Sequence, residues 1–253
     1  MAFLDRTGGK LAAGPTLLLT ADPGNALADA ARLYDPLMRS GPGRLVFGDG
    51  VLLFGPITIT PKLIAQAGLP GSAAVAWYAG AAGPRYGKPR PDEDTRADGQ
   101  GLVLGLAARL GGTVHPWPPP HRPALAASVY SERPVAEEEV VRVLRPYAGV
   151  VSVGDAQDGS YAVRGRQAAF CTVYRPPRPH SAGIDPPALG SMRKRPLHHW
   201  LLNAGQQAGA ADRELRQRVA GGALALAMAA CGVAIDMCGF RFESAEELRL
   251  VAD

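Results

Sequence analysis

Two rhythms of apolar residues alternate along the chain. Short runs of strand length, such as TLLLT (16–20) and AAVAWYAG (73–80), are separated by stretches where apolar residues return every three or four positions. TLLLT leads into Asp-Pro-Gly-Asn, a turn. Leu27, Ala31, Leu33, Tyr34, Leu37 and Met38 then recur at helical spacing to about Arg39, with Asn25 placed to cap the helix. RLVFGDGVLLFG (44–55) sets two strand runs around Gly-Asp-Gly, which predicts a hairpin because glycine tolerates the positive φ of tight turns. ITIT (57–60) adds a fragment of strand. After a loop rich in Pro, Gly and charge (81–99), LVLGLAARLGGTVHP (102–116) reads as a helix, a glycine stop and a short strand.

The second half gives the same order. ALAASVY (124–130) predicts a strand, and VAEEEVVRVLRPY (135–147) a helix whose acidic residues crowd its first turn, where they favour the helix dipole. GVVSVGDAQDGSYAVRG (149–165) predicts a hairpin, and AAFCTVYR (168–175) is matched to AAVAWYAG. A helix over about 211–231 and a strand at VAIDM close the series. Aligned this way, Leu17–Thr20 map to Ala127–Tyr130 and Pro36 to Pro146, both 110 residues on. Leu45–Phe47 map to Val150–Ser152 at an offset of 105, and Thr113–His115 to Ala234–Asp236 at 121. About 26 residues are then inserted in the second copy, between Arg175 and Val219. The expected fold is α+β: a tandem duplication of two ferredoxin-like modules, each β-α-β-β-α-β with an extra strand in an antiparallel sheet. The first module covers 1–118 and the second 119–253, with a long insertion at about 176–209. HPWPPPHRP (115–123) is expected to be a stiff connector.

Composition changes this picture little. Apolar residues make up 47% and charged residues 20% of the 253, enough for a sizeable core and too apolar for a disordered chain. The net charge is +4, and the first 122 residues carry 12 basic against 9 acidic side chains, the rest 15 against 14. Neither half is therefore a basic module, although a polyanionic partner is compatible with the excess. Abundant Ala, Gly and Pro, with Arg far outnumbering Lys, suggest a GC-rich bacterial genome. Cys171, Cys231 and Cys238 have no CxxC spacing and read as reduced, mostly buried thiols of a cytoplasmic protein. No signal peptide is expected from LAAGPTLLLTA, which Gly14 and Pro15 interrupt, and the apolar window 221–235 is too short to span a bilayer. No membrane partner is expected.

Candidate chemistry concentrates in the inserted stretch. Arg193, Lys194 and Arg195 precede His198, His199 and Trp200, which brings positive charge and stacking surface together within eight residues. Such a segment could grip a phosphate backbone while Trp200 stacks on a base. The plainer alternative is a solvated Arg-Lys-Arg loop followed by a short helix, LHHWLL, packing Leu197, Trp200 and Leu201 on the body. In the first module the loop 80–94 holds Arg85, Tyr86, Lys88 and Arg90 among glycines and could bind an anion, but it lacks GxxxxGK[ST]. Side chains of adjacent helical residues diverge by about 100°, so His198 and His199 would not share an ion, and His115, His121 and His180 have no ligand spacing. No metal or other cofactor is expected. GxSxG is absent, and no catalytic pair of carboxylates stands out.

These observations favour a non-catalytic binding or interaction protein, whose partner is a protein or an anionic ligand. A second class is an RNA-binding or RNA-processing protein that uses the basic insertion. A third is a small-molecule or cofactor-binding enzyme that uses a cavity between the modules, lined by Trp77, Tyr78 and Tyr174 with a histidine as ligand.

Overall fold

A computed structural model describes residues 2–48, 50–81, 93–116, 126–149, 152–155, 161–164, 169–174, 186–203 and 213–248. The chain is α+β and divides into two compact units, Met1–Arg122 and Pro123–Asp253. Arg85, Lys88 and Arg90, the proline-rich stretch after Pro116, and residues 176–185 and 204–209 of the expected insertion lie outside the described residues.

The first unit runs α1 (Ala2–Ala13), β1 (Thr16–Leu19), α2 (Asn25–Tyr34), β2 (Arg39–Gly41), β3 (Arg44–Val46), β4 (Val51–Thr58), α3 (Pro61–Ala67), β5 (Val75–Ala81), α4 (Glu93–Leu110) and β6 (Thr113–His115). Its six strands form one sheet in the order β2-β3-β4-β5-β1-β6, with every neighbour antiparallel. Both faces of this sheet are covered. Leu18 of β1 and Ala76 of β5 pack with Leu11 of α1 and with Leu63 and Ala67 of α3. On the other face α4 approaches closely at Gly99, where an added Cβ would touch Ala79 and Val51.

Local chemistry explains these boundaries. α2 stops at Tyr34 instead of reaching Arg39, because Pro36 pushes the preceding residue out of the helical region and Asp35 is extended (φ −145°, ψ 103°). The buried Asp35 carboxylate accepts hydrogen bonds from the backbone N–H groups of Leu37 and Gly48, tying the helix end to the hairpin. Gly24, not Asn25, occupies the position before the helix and supplies no side-chain cap. α3 carries a full set of signals: Thr60 Oγ1 accepts from the Leu63 N–H, Pro61 follows, and Gly68 closes in the left-handed region. Ile57 and Thr58 belong to β4, beyond a bulge that Gly55 makes possible. A Cβ at Gly55 would lie 2.5 Å from Cδ2 of the Trp77 ring.

The second unit runs β7 (Ala126–Ser131), α5 (Glu137–Ala148), β8 (Ser152–Asp155), β9 (Tyr161–Arg164), β10 (Ala169–Tyr174), a 3-10 helix (Pro187–Lys194), β11 (His198–Asn203), α6 (Arg213–Ala230) and β12 (Val233–Asp236). Its sheet order is β12-β7-β11-β10-β9-β8, again antiparallel throughout. Strand for strand, this is the connectivity of the first sheet. β7 stands where β1 stands, β10 where β4 stands, β11 where β5 stands and β12 where β6 stands.

That correspondence corrects the alignment read from the sequence. AAFCTVYR (β10) occupies the place of β4, and HHWLLN (β11) is the counterpart of AAVAWYAG. The stretch 176–209 is therefore no mere insertion, since it contains a central strand. LHHWLL is extended, not helical, and within β11 the inward positions are Trp200 and Leu202. The hairpin β8-β9 matches β2-β3, so Leu45 corresponds to Val163 and not to Val150.

Register fixes the equivalences. Leu18 pairs with Thr113 and Ala76, and Tyr130 pairs with Val233 and His199. Just before β6 and β12 stand Gly112 and Gly232, where a Cβ would lie 2.7 Å from the Leu18 carbonyl oxygen and 2.4 Å from that of Tyr130. Trp77 and Trp200 are equivalent, opposite Leu17 and Val129, and the indole N–H of each is buried without a partner among the described residues. The second core lies between α5, α6 and the sheet face carrying Ala127, Val129, Trp200, Leu202, Val163 and Ala234. Gly221 and Gly222 bring α6 close to Tyr147 of α5 and to Leu202.

Candidate functional site

Side chains alternate across a strand, so the residues between these core positions emerge on the opposite face of the second sheet. On β7 they are Ser128 and Tyr130, and on β11 His199, Leu201 and Asn203. Ser128, Tyr130, His199, Leu201 and Asn203 are all partly exposed. Tyr130 and His199, paired across the strands, stack with ring centroids 4.5 Å apart and planes 2° from parallel. Nε2 of His199 shares a hydrogen bond of 3.1 Å with the hydroxyl of Ser128, which holds the imidazole in place. At the equivalent positions of the first unit stand Leu18 and Ala76, both buried beneath α1 and α3. The same sheet position thus carries apolar core in one unit and a polar aromatic pair in the other.

Among the described residues, the 3-10 helix covers one side of this face. Ala188 and Leu189 pack with Ile235 of β12, and Tyr130, Met192, Leu197 and Val233 rest against that cluster. Arg241 anchors the helix by donating from Nε to the Ala188 carbonyl; partial burial draws its pKa below the usual arginine value, an effect that Glu243 opposes. At the other end the helix delivers Arg193, Lys194 and Arg195. Arg193 is half-buried and the other two are exposed. Arg195 forms an ion pair with Glu132, the residue after β7.

Other residues singled out from the sequence fall elsewhere. Trp200 is 1% exposed inside the second core, so its ring offers no stacking surface to a ligand; inward alternation on β11 buries it. His198 sits opposite Ser131 with its ring 6.0 Å from that of Trp200, on the face away from His199, and burial lowers its pKa. The two histidines diverge further on a strand than they would on a helix. Among the described residues no group of three or more His, Cys, Asp or Glu could hold a metal ion. Trp77 packs over Gly55, and Tyr78 stacks on Phe54 while Lys10 donates to its hydroxyl, which places both inside the first unit. Tyr174 pairs with His199 by register.

The cysteines are free thiols. Cys171 is fully buried in β10, and burial pushes its pKa far up, so it stays protonated. Cys238 is buried in the turn after β12, where the Asp236 carboxylate accepts from its N–H and from that of Phe240. Cys231 departs from the expectation of burial: it is exposed, at the left-handed position (φ 49°) that Gly111 fills in the first unit (φ 66°), with Arg133 donating to its sulfur.

The basic run drew the sequence reading away from Ser128 and Tyr130, which it missed. The signal was present, since Ser-Val-Tyr and His-Trp-Leu both alternate with a period of two. Comparisons with protein-family models, curated proteins and solved structures found no match to this chain. Among the described residues no helix is long and apolar enough to cross a membrane.

Proposed function

We propose that the chain is a tandem pair of ferredoxin-like modules acting as a non-catalytic binding protein, and that its ligand docks on the partly exposed face of the second sheet that carries Tyr130 and His199. In support of the modular reading, β1, β4, β5 and β6 lie in the order β4-β5-β1-β6, and β7, β10, β11 and β12 repeat it. In each unit a two-stranded hairpin extends the edge next to β4 or β10. One observation carries the functional reading. Where the first unit buries Leu18 and Ala76, the second presents the partly exposed Tyr130–His199 stack, and the 3-10 helix whose apolar residues pack with Tyr130 ends in Arg193 and Lys194. A partly exposed aromatic pair, with cations on the helix that packs against it, suits a planar, negatively charged ligand, because ring stacking and charge act together.

NMR titration of the full chain with adenosine 5′-monophosphate, and separately with inorganic phosphate, tests this reading. Backbone amide shifts on β7 and β11 with the nucleotide, abolished in Tyr130→Ala and His199→Ala, are expected. Shifts confined to other elements, or none with either probe, would overturn it.

A further inference from the structure

We infer that the ligand of this face is a single strand of nucleic acid, an inference that rests on the binding reading above. β7 ends where β11 and β12 begin, since Ser131 pairs with His198 and Tyr130 with Val233. Tyr130 and His199 therefore stand in one row at that end of the sheet. The chain leaves β7 through Glu132 and Arg133, and it enters β11 from Arg193, Lys194 and Arg195. Arg133 reaches Cys231 at the end of α6, the helix on the opposite side of the sheet. The 3-10 helix that packs with Tyr130 thus brings three cations, Arg193, Lys194 and Arg195, against one carboxylate, Glu132, a net of two positive charges at this end of the sheet. The acidic run Glu137, Glu138 and Glu139 opens α5, which packs on the opposite side of the sheet. In the Arg195–Glu132 pair the guanidinium is largely solvent-exposed and the carboxylate about a third exposed, so exchanging the carboxylate for a phosphate costs little.

This combination separates the possible anions. A peptide of Asp and Glu supplies charge without rings to stack. A lone nucleotide uses one ring and one phosphate group, whereas the face continues past the stack to Ser128, Leu201 and Asn203, hydroxyl, apolar and amide groups within reach of a second base. A strand offers successive bases to stack and a charge at every linkage, which is what aromatic residues on adjacent sheet strands with a basic rim accommodate without reading sequence.

Fluorescence polarisation of labelled oligouridylate and oligothymidylate of about 12 nucleotides, with polyglutamate as competitor, provides the test. Binding at about 50 mM salt that weakens steeply by about 200 mM is expected. Tyr130→Ala and His199→Ala should each weaken it roughly tenfold, and Tyr130→Phe, which keeps the ring, should bind like the parent. Replacing both Arg193 and Lys194 by Ala should make the slope of log affinity against log salt shallower by about 1.4, because two phosphates of a single strand are then no longer neutralised by the protein. Three results would overturn the inference: no binding to either oligonucleotide, affinity indifferent to the ring substitutions, or equal competition by polyglutamate. If adenosine 5′-monophosphate still shifts β7 and β11 while neither strand binds, the face remains a ligand site and only the strand is wrong. If neither binds there, both readings fall.

Discussion

Cys231 holds a backbone conformation that an L side chain adopts at a cost. Its φ of 49° is matched by φ 66° at Gly111, where the first unit places glycine for the same turn between helix and strand. Cys231→Gly should therefore stabilise the protein by about 1 kcal/mol in urea denaturation, by relieving left-handed strain. A loss of stability would show that the Arg133–sulfur contact outweighs that strain. At His198, burial disfavours the imidazolium, so the folded pKa lies below the unfolded value near 6.5. Below that pH the unfolded chain binds more protons than the native one, and the linkage relation makes stability fall as pH falls. The decline from neutrality into the acid range should be shallower in His198→Asn than in the parent, measured by denaturation at a series of pH values. Equal slopes would remove His198 from the acid response. Neither residue's environment was readable beforehand, because the φ of Cys231 depends on where α6 delivers the chain and the burial of the His198 ring on its pairing opposite Ser131.

At the scale of elements, the turns that join α4 to β6 and α6 to β12 leave no room for a side chain. A methyl at Gly232 would meet the Tyr130 carbonyl at 2.4 Å and one at Gly112 the Leu18 carbonyl at 2.7 Å, and a backbone oxygen inside a sheet has little room to yield. Gly112→Ala and Gly232→Ala should each cost about 2 kcal/mol. Gly71→Ala, with nothing within 4 Å of the added methyl, should be near neutral. Thermal unfolding of the three variants distinguishes them. The sequence made most elements legible, because long periodic runs such as VAEEEVVRVLRPY allow one reading. β11 was not legible because Leu197, Trp200 and Leu201 fit helical spacing while Trp200 and Leu202 fit a strand, and only pairing with β7 and β10 decides. α3 was overlooked although Thr60, Pro61 and Gly68 mark both of its ends. α1 was overlooked because Gly8 and Gly9 interrupt its apolar stripe.

For the whole molecule, the repeated strand order matters less than the place where the two sheets differ. The first buries both faces of its central strands under helices, and the second leaves Tyr130 and His199 partly exposed. The basic run was visible in the sequence, but its partner rings were not, since Trp200 looked like the stacking residue and lies in the core. Only register places His199 beside Tyr130. Hydroxyl-radical footprinting of the intact chain, with and without adenosine 5′-monophosphate, tests this directly. Tyr130 and His199 should be oxidised in the free protein, well above the buried Tyr34, and protected by the nucleotide. Oxidation of Tyr130 and His199 no faster than that of Tyr34, or unchanged when the nucleotide is present, would contradict the account.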